Sequence, residues 1–251
     1  MKKFFIMAVM VVMALTANAQ KINGSFGFET AHLWRGYEVS DGFTLTANTS
    51  VTFADKFTVG LWGGRELDGS YKEFDYYAQF STNGFTIALW DIYNNSAGQS
   101  RHGYTEAMWQ NVFNYNKHST GHFLDAEVSY NFAPACNVPL TLAWNTIIQG
   151  RDLDNDNETQ QYTTYVKATY TVFENEHVAV TPAIGGAFKF AGDGKCNFYD
   201  GKHKAGITDI DLAFTYKAHL GKYELPLTAT AVWSPSQKSG HMAVSATLLS
   251  F

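Results

Sequence analysis

Charge is scarce in this chain: Asp, Glu, Lys and Arg together make up 16% of its 251 residues, against about 25% in an ordinary soluble domain. What charge there is leans acidic, with 23 Asp and Glu to 18 Lys and Arg, and no run of basic residues marks a nucleic-acid surface. Cysteine is nearly absent. Cys136 and Cys196 are the two in the chain, too few for a disulfide-stapled scaffold. Long apolar runs are missing as well. The longest, Phe4 to Leu15, falls short of the ~18 residues that mark a membrane-crossing helix. These shortages argue against a nucleic-acid binder, a disulfide-rich secreted domain and a helical membrane protein.

That one apolar run has a different use. Lys2 and Lys3 precede it, and Ala17-Asn18-Ala19 follows as a small-residue cleavage site before Gln20, the three parts of an export signal. A cleaved signal peptide is expected over 1–19 and a single domain over 20–251. Gln20 rather than Cys follows the cut, which argues against a lipid anchor.

What the chain has in abundance is alternation. From Phe43 to Phe53, one face is Phe43, Leu45, Ala47, Thr49, Val51 and Phe53, and the other is Thr44, Thr46, Asn48, Ser50 and Thr52. Strand side chains point to opposite sides, so this segment has one apolar and one polar face. Similar stretches predict about twelve strands, at 24–35, 43–53, 57–66, 73–80, 85–93, 123–132, 140–149, 162–172, 178–189, 207–217, 226–234 and 241–251. Connectors after even-numbered strands are short. Several after odd-numbered strands are long, notably 94–122, 150–161 and 190–206. Short turns on one side, longer loops on the other and an even strand count describe a transmembrane antiparallel β-barrel with both termini in the periplasm.

Aromatic residues, 16% of the chain, gather at strand ends. Phe53, Phe57, Phe80, Phe85, Phe132, Tyr216 and Phe251 form one outward belt; Trp34, Phe43, Phe74, Trp144, Tyr162, Phe188 and Trp233 form the other. Two belts are expected where a barrel meets two headgroup layers. In this layout Cys136 and Cys196 fall at opposite ends, about 25 Å apart and beyond the ~7 Å a bridge allows, so no bond between them is expected. The last strand is inconsistent with itself. Leu249 and Phe251 share one face, while Met242, Val244, Ala246 and Leu248 share the other; either a bulge flips the register or the second face packs inside.

The segment Leu33-Trp34-Arg35-Gly36-Tyr37-Glu38-Val39-Ser40-Asp41-Gly42 resembles the first-hairpin signature of the TorF family, in which an aromatic-Arg-Gly meets a Ser/Thr-Asp-Gly turn. Gly60-Leu61-Trp62-Gly63, Glu73-Phe74-Asp75-Tyr76-Tyr77-Ala78 and Gly84-Phe85 are similar too, so the resemblance spans about residues 25–95. It implies a Gram-negative outer-membrane barrel of channel function and carries no catalytic or substrate residue. The closing Leu249-Ser250-Phe251 resembles the signal read by the outer-membrane assembly machinery, which with membrane lipid is an expected partner.

Inward-facing charge is the candidate site. Glu66, Glu73, Asp75, Asp125, Glu127, Asp209 and Asp211 are placed in the outer half of the lumen, with Arg35, Lys167 and Lys189 as the basic candidates. Carboxylates in a narrow passage enrich cations, so a mildly cation-preferring pore for small hydrophilic solutes is expected. The alternative is a salt-bridge network that fills the barrel and conducts nothing. The 94–122 connector, with Tyr104, Met108, Trp109, Phe113 and Tyr115, is too apolar for a free loop. It is a candidate constriction, a lid, or an extension of its flanking strands.

Other chemistry finds less support. Asp152, Asp154, Asp156 and Glu158 alternate like the start of a calcium loop but lack its Gly and distal Glu. His102, His118 and His122 lack zinc-ligand spacing. His32 is expected near the outer rim on the lipid face, where a phospholipase would place a histidine, yet no serine is paired with it. No cofactor, metal or catalytic residue is expected, and a purely structural or surface-displaying barrel is the competing class.

Overall fold

Polar–apolar alternation becomes closure once the strands pair. The structure, a computed structural model, describes residues 20–96, 108, 110–221 and 223–251, so the expected signal peptide lies outside the described residues. The first strands are β1 (Gln20–Glu29), β2 (His32–Trp34), β3 (Tyr37–Ser40), β4 (Thr44–Phe53) and β5 (Phe57–Glu66). Next come β6 (Lys72–Thr82), β7 (Phe85–Tyr93), β8 (His122–Asn131), β9 (Leu140–Gly150) and β10 (Thr164–Tyr170). The series ends with β11 (Phe173–Glu174), β12 (Val178–Phe188), β13 (Ala205–Leu220), β14 (Tyr223–Ser234) and β15 (Ser239–Ser250). A short helix, α1 (Ala133–Cys136), follows β8.

All of these except β2, β3 and β11 join as a closed twelve-strand antiparallel barrel. β1 pairs with β4 on one side and β15 on the other, and β10 pairs with β12 to complete the ring. Each of the twelve barrel strands is paired on both sides, so the barrel leaves no open edge. Apart from the first strand, the limits fall within a few residues of the predicted ones.

At the end carrying both termini the turns are tight. Ala54 and Asp55 adopt φ of 50° and 56°, and Asn83-Gly84 adopts 49° and 84°, the left-handed pairs that match a two-residue turn to strand twist. Cys136 sits at this end in α1 and Cys196 in the connector 189–204 at the other; both are free.

The last strand resolves its own inconsistency. Phe26 pairs with Leu249 but Gly27 with Thr247, so Leu248 is an extra residue. This β-bulge flips the alternation, and Met242, Leu248, Leu249 and Phe251 all face outward and are exposed. The Phe251 ring lies over Gly24, where a Cβ would overlap it, and the two backbones exchange hydrogen bonds at 3.0 Å.

The first predicted strand needs correction. It stops at Glu29, and residues 32–40 leave the wall as the separate hairpin β2–β3, Trp34 opposite Tyr37. Arg35 (φ 51°) and Gly36 (φ 79°) form its two-residue turn. Trp34 therefore lies inside, against Phe123 and Tyr199, not in the outward belt. Phe43, Phe74, Trp144, Tyr162 and Trp233 of that belt are exposed, as are Phe80, Tyr216 and Phe251 at the other end.

Candidate functional site

The lumen has two unlike halves. Toward the tight turns the wall is small and polar, and hydroxyls pair across strands: Thr52 with Thr58 at 3.0 Å, Ser81 with Thr86 at 2.9 Å and Thr215 with Thr228 at 2.9 Å. Toward the long connectors the inward positions turn apolar. Ile92, Phe123, Ile147, Tyr165 and Ala187 form a buried cluster with Tyr199 of the 189–204 connector, and Trp34, Trp90 and Phe198 pack against it.

The hairpin β2–β3 crosses this second half. Gly36 sits on the carbonyl of Thr208, so close that a Cβ would collide with it. Thr208 is the extra residue of a bulge between β12 and β13. At the tip, the Arg35 guanidinium donates to the Tyr199 hydroxyl and pairs with the Asp125 carboxylate. It also lies 4.6 Å from the Trp34 ring centroid and 5.1 Å from that of Tyr165, within cation–π range. At the hairpin base, Ser40 Oγ donates to Glu66 at 2.8 Å, and Ser70 Oγ does so at 2.7 Å.

The predicted lumen charges sort into four groups. Arg35 meets Asp125, while Lys167 pairs with Asp211 and, at 3.2 Å, with Asp209, which also accepts from the Tyr165 hydroxyl at 2.8 Å. Glu66, Asp75 and Glu127 are held by neutral donors: the serines above, the Tyr93 amide at 3.1 Å and the Asn145 amide at 3.3 Å. Lys189 is buried under the loops, 2.8 Å from Gln161 Oε1 and 3.5 Å from Asp154. Glu73 faces a cavity treated below.

The 94–122 connector does not supply the crossing segment among its described residues. Tyr115 donates to Asp91 at 2.6 Å and stacks on His122 at 4.4 Å. Asp91 and His122 alternate with the inward Ile92 and Phe123, so this contact lies on the outside of the wall. Phe113 and Met108 are exposed; Tyr104 and Trp109 lie outside the described residues. His122 Nδ1 meets Asp91 at 2.7 Å, its Nε2 meets the Val112 carbonyl at 3.0 Å, and the ring is buried. Nothing in that arrangement presents a nucleophile.

His32 faces the interior, not lipid, between Trp62 and Tyr71 rings, with Nδ1 2.9 Å from Glu29. In the loop after β9, Asp152 accepts from Thr163 N at 2.7 Å and Thr163 Oγ1 at 2.8 Å; burial nevertheless pushes its carboxyl up to about 6. Asp156 accepts from the Glu158 and Thr159 amides, which hold it down at about 2. These carboxylates serve loop backbone, and no group of metal-ligating side chains occurs among the described residues.

A cavity of about 180 Å³ opens between hairpin and wall, lined by His32, Trp34, Glu73, Ile92, Asn94 and Arg151 among others. The Arg151 guanidinium lies 4.9 Å from the Phe123 ring centroid and 5.5 Å from that of Phe198. Sequence reasoning missed Arg151, Phe198 and Tyr199 because loop residues have no periodicity to betray their direction. The inward Ile92, Phe123, Ile147 and Tyr165 were visible: they break the polar-inside rule at strand ends on one side only.

No family model matches the chain, and no curated protein matches it. The fold does have solved counterparts. The NanC porin is similar with a TM-score of 0.50 at 8% identity, over 90% of this chain and 98% of that one. An outer-membrane channel from Pseudomonas putida F1 is similar with a TM-score of 0.43 at 9% identity, over 92% and 94%. The first likeness supports the architecture, a closed antiparallel β-barrel.

Proposed function

We propose that the chain is an outer-membrane channel of porin type, passing small hydrophilic solutes passively and favouring cations. The observation that carries this reading is the divided lumen: a half walled by small polar side chains and a half crossed by the β2–β3 hairpin around Arg35. An exposed outer wall of Leu61, Ile87, Leu89, Val128, Leu142, Leu212 and Phe214 suits hydrocarbon and would be a liability in water. In this reading the signal peptide exports the chain, Phe251 is read by the assembly machinery, the tight turns are periplasmic and the hairpin narrows the outer half. The resemblance of residues 33–42 to the TorF signature agrees with it, since that signature coincides with the hairpin.

Cation preference follows from carboxylates at the constriction that are held by neutral donors, Glu66, Asp75 and Glu127, together with Glu73. Planar-bilayer recording tests it. Steady conductance with a cation-biased reversal potential is expected, and neutralising Glu66, Glu73, Asp75 and Glu127 together should remove the bias, because Asp125, Asp209 and Asp211 are already paired with Arg35 and Lys167. A silent barrel overturns the channel reading in favour of a structural one, which the packed half-lumen also supports. Lipid hydrolysis by the purified protein would point to an enzyme instead.

A further inference from the structure

The cavity beside the hairpin has a chemistry of its own. Glu73 comes from β6 and Arg151 from the loop after β9, so two strands, β7 and β8, separate them on the wall. At ~4.8 Å per strand their backbones are roughly 14 Å apart, and both side chains reach the same space of about 180 Å³. Phe123 and Phe198 hold the guanidinium in place. Asn94 adds an amide beside Glu73, while Ile92 and Val39 give an apolar patch.

We propose that this cavity binds a small zwitterionic solute, an α-amino acid with a small or apolar side chain. Arg151 takes the carboxylate through paired N–H donors, as guanidinium groups do. Glu73 takes the ammonium, and the side chain rests on Ile92 and Val39. A solute with one charge gains one partner and meets the like charge of the other. A sugar fits less well, because it has no charge to offer Arg151 or Glu73, and the faces of Trp34, Phe123 and Phe198 are already covered. Arg35 and the neighbouring rings cover Trp34, and Arg151 covers Phe123 and Phe198. This inference deepens the channel reading by naming its solute class.

Equilibrium dialysis of the folded protein in detergent against labelled L-leucine tests it. Saturable binding is expected, displaced by L-alanine, with 4-methylpentanoate, isopentylamine and D-glucose each at least about tenfold weaker as competitors. Glu73→Gln and Arg151→Met should each weaken L-leucine about tenfold. Absence of saturable binding, equal competition by a singly charged analogue, or stronger competition by glucose overturns the proposal, and so do folded variants that bind as the parent does. The competitor series needs no variant, so misfolding cannot hide the answer. A conducting barrel that ignores L-leucine defeats this inference alone; a silent barrel that binds it defeats the channel reading alone.

Discussion

Replacing Arg35 with Met should loosen the hairpin while leaving the barrel intact. Met keeps most of the stem and bears the same positive φ as any L residue, so the change isolates the charge. Asp125 is 1% exposed and Arg35 11%, and the other Asp125 oxygen has no hydrogen-bond partner. Removing the guanidinium therefore strands a buried carboxylate. Breaking a buried pair in this way costs about 3–5 kcal/mol, or roughly two to three and a half orders of magnitude in the open-to-docked ratio of the hairpin. Hydration of Asp125 on opening is what drives the shift, so Arg35→Met combined with Asp125→Asn should recover part of it. Single-channel recording on parent, both single variants and the double variant measures the coupling. Larger or more frequent openings are expected in Arg35→Met, with thermal unfolding of the barrel little changed, because β2 and β3 pair only with each other. Unaltered conductance together with unaltered amide protection in residues 32–40 would refute the argument.

Gly36→Ala should undock the same hairpin for a different reason, since a Cβ there meets the Thr208 carbonyl and the φ of 79° penalises L residues; faster amide exchange at residues 37–40 is the readout. Asp152 sets a pH dependence in the loop after β9. Its folded value of about 6 against a reference of 3.8 means the folded loop binds the proton more tightly. Its stabilisation is complete below about pH 4 and lost as pH rises through 6, by at most about 3 kcal/mol. Limited proteolysis of that loop across pH 4 to 7 should show it, and Asp152→Asn should flatten the profile; a loop that grows firmer over that range contradicts the sign. Gly24→Val should displace the Phe251 ring from the closing seam and lower the barrel's thermal stability on the order of 1 kcal/mol, as should Phe251→Ala. Heat-modified gel mobility reports both.

The barrel was legible because its signal is redundant. Period-two alternation, loop lengths and aromatic placement each located the same strands, and a register error would have turned Leu61 or Phe214 inward. The hairpin was not legible, because β1 and β2 look continuous: Phe28, Thr30 and His32 keep the alternation going past the true end at Glu29. The clue was Arg35-Gly36, an X-Gly pair suited to a two-residue turn with positive φ. The bulge at Leu248 was half legible, since two apolar faces on one strand demand either a flip or a buried side. The partners of the lumen acids were least so. That Lys167 lies beside Asp209 and Asp211, and Arg35 beside Asp125, depends on strands brought together by closure across 42 to 90 positions, and nothing local encodes it.

The wall itself explains why one half of the lumen is filled. Eight strands enclose a space that their own side chains can pack, while twelve leave a gap that water or another segment must occupy. Where the inward residues are Ser, Thr and Asn, water is a good filler. Where they are Ile92, Phe123, Ile147 and Tyr165 it is a poor one, at about 25 cal/mol for each Å² of apolar surface left wet. The hairpin and the 189–204 connector cover that surface, so the narrowing follows from wall composition as much as from the Arg35 clamp. A hairpin freed by Arg35→Met would then leave behind an apolar ring that sheds water and draws the hairpin back. Brief, repeated openings are the expected single-channel record. A steadily open state would mean that Arg35 alone holds the passage shut.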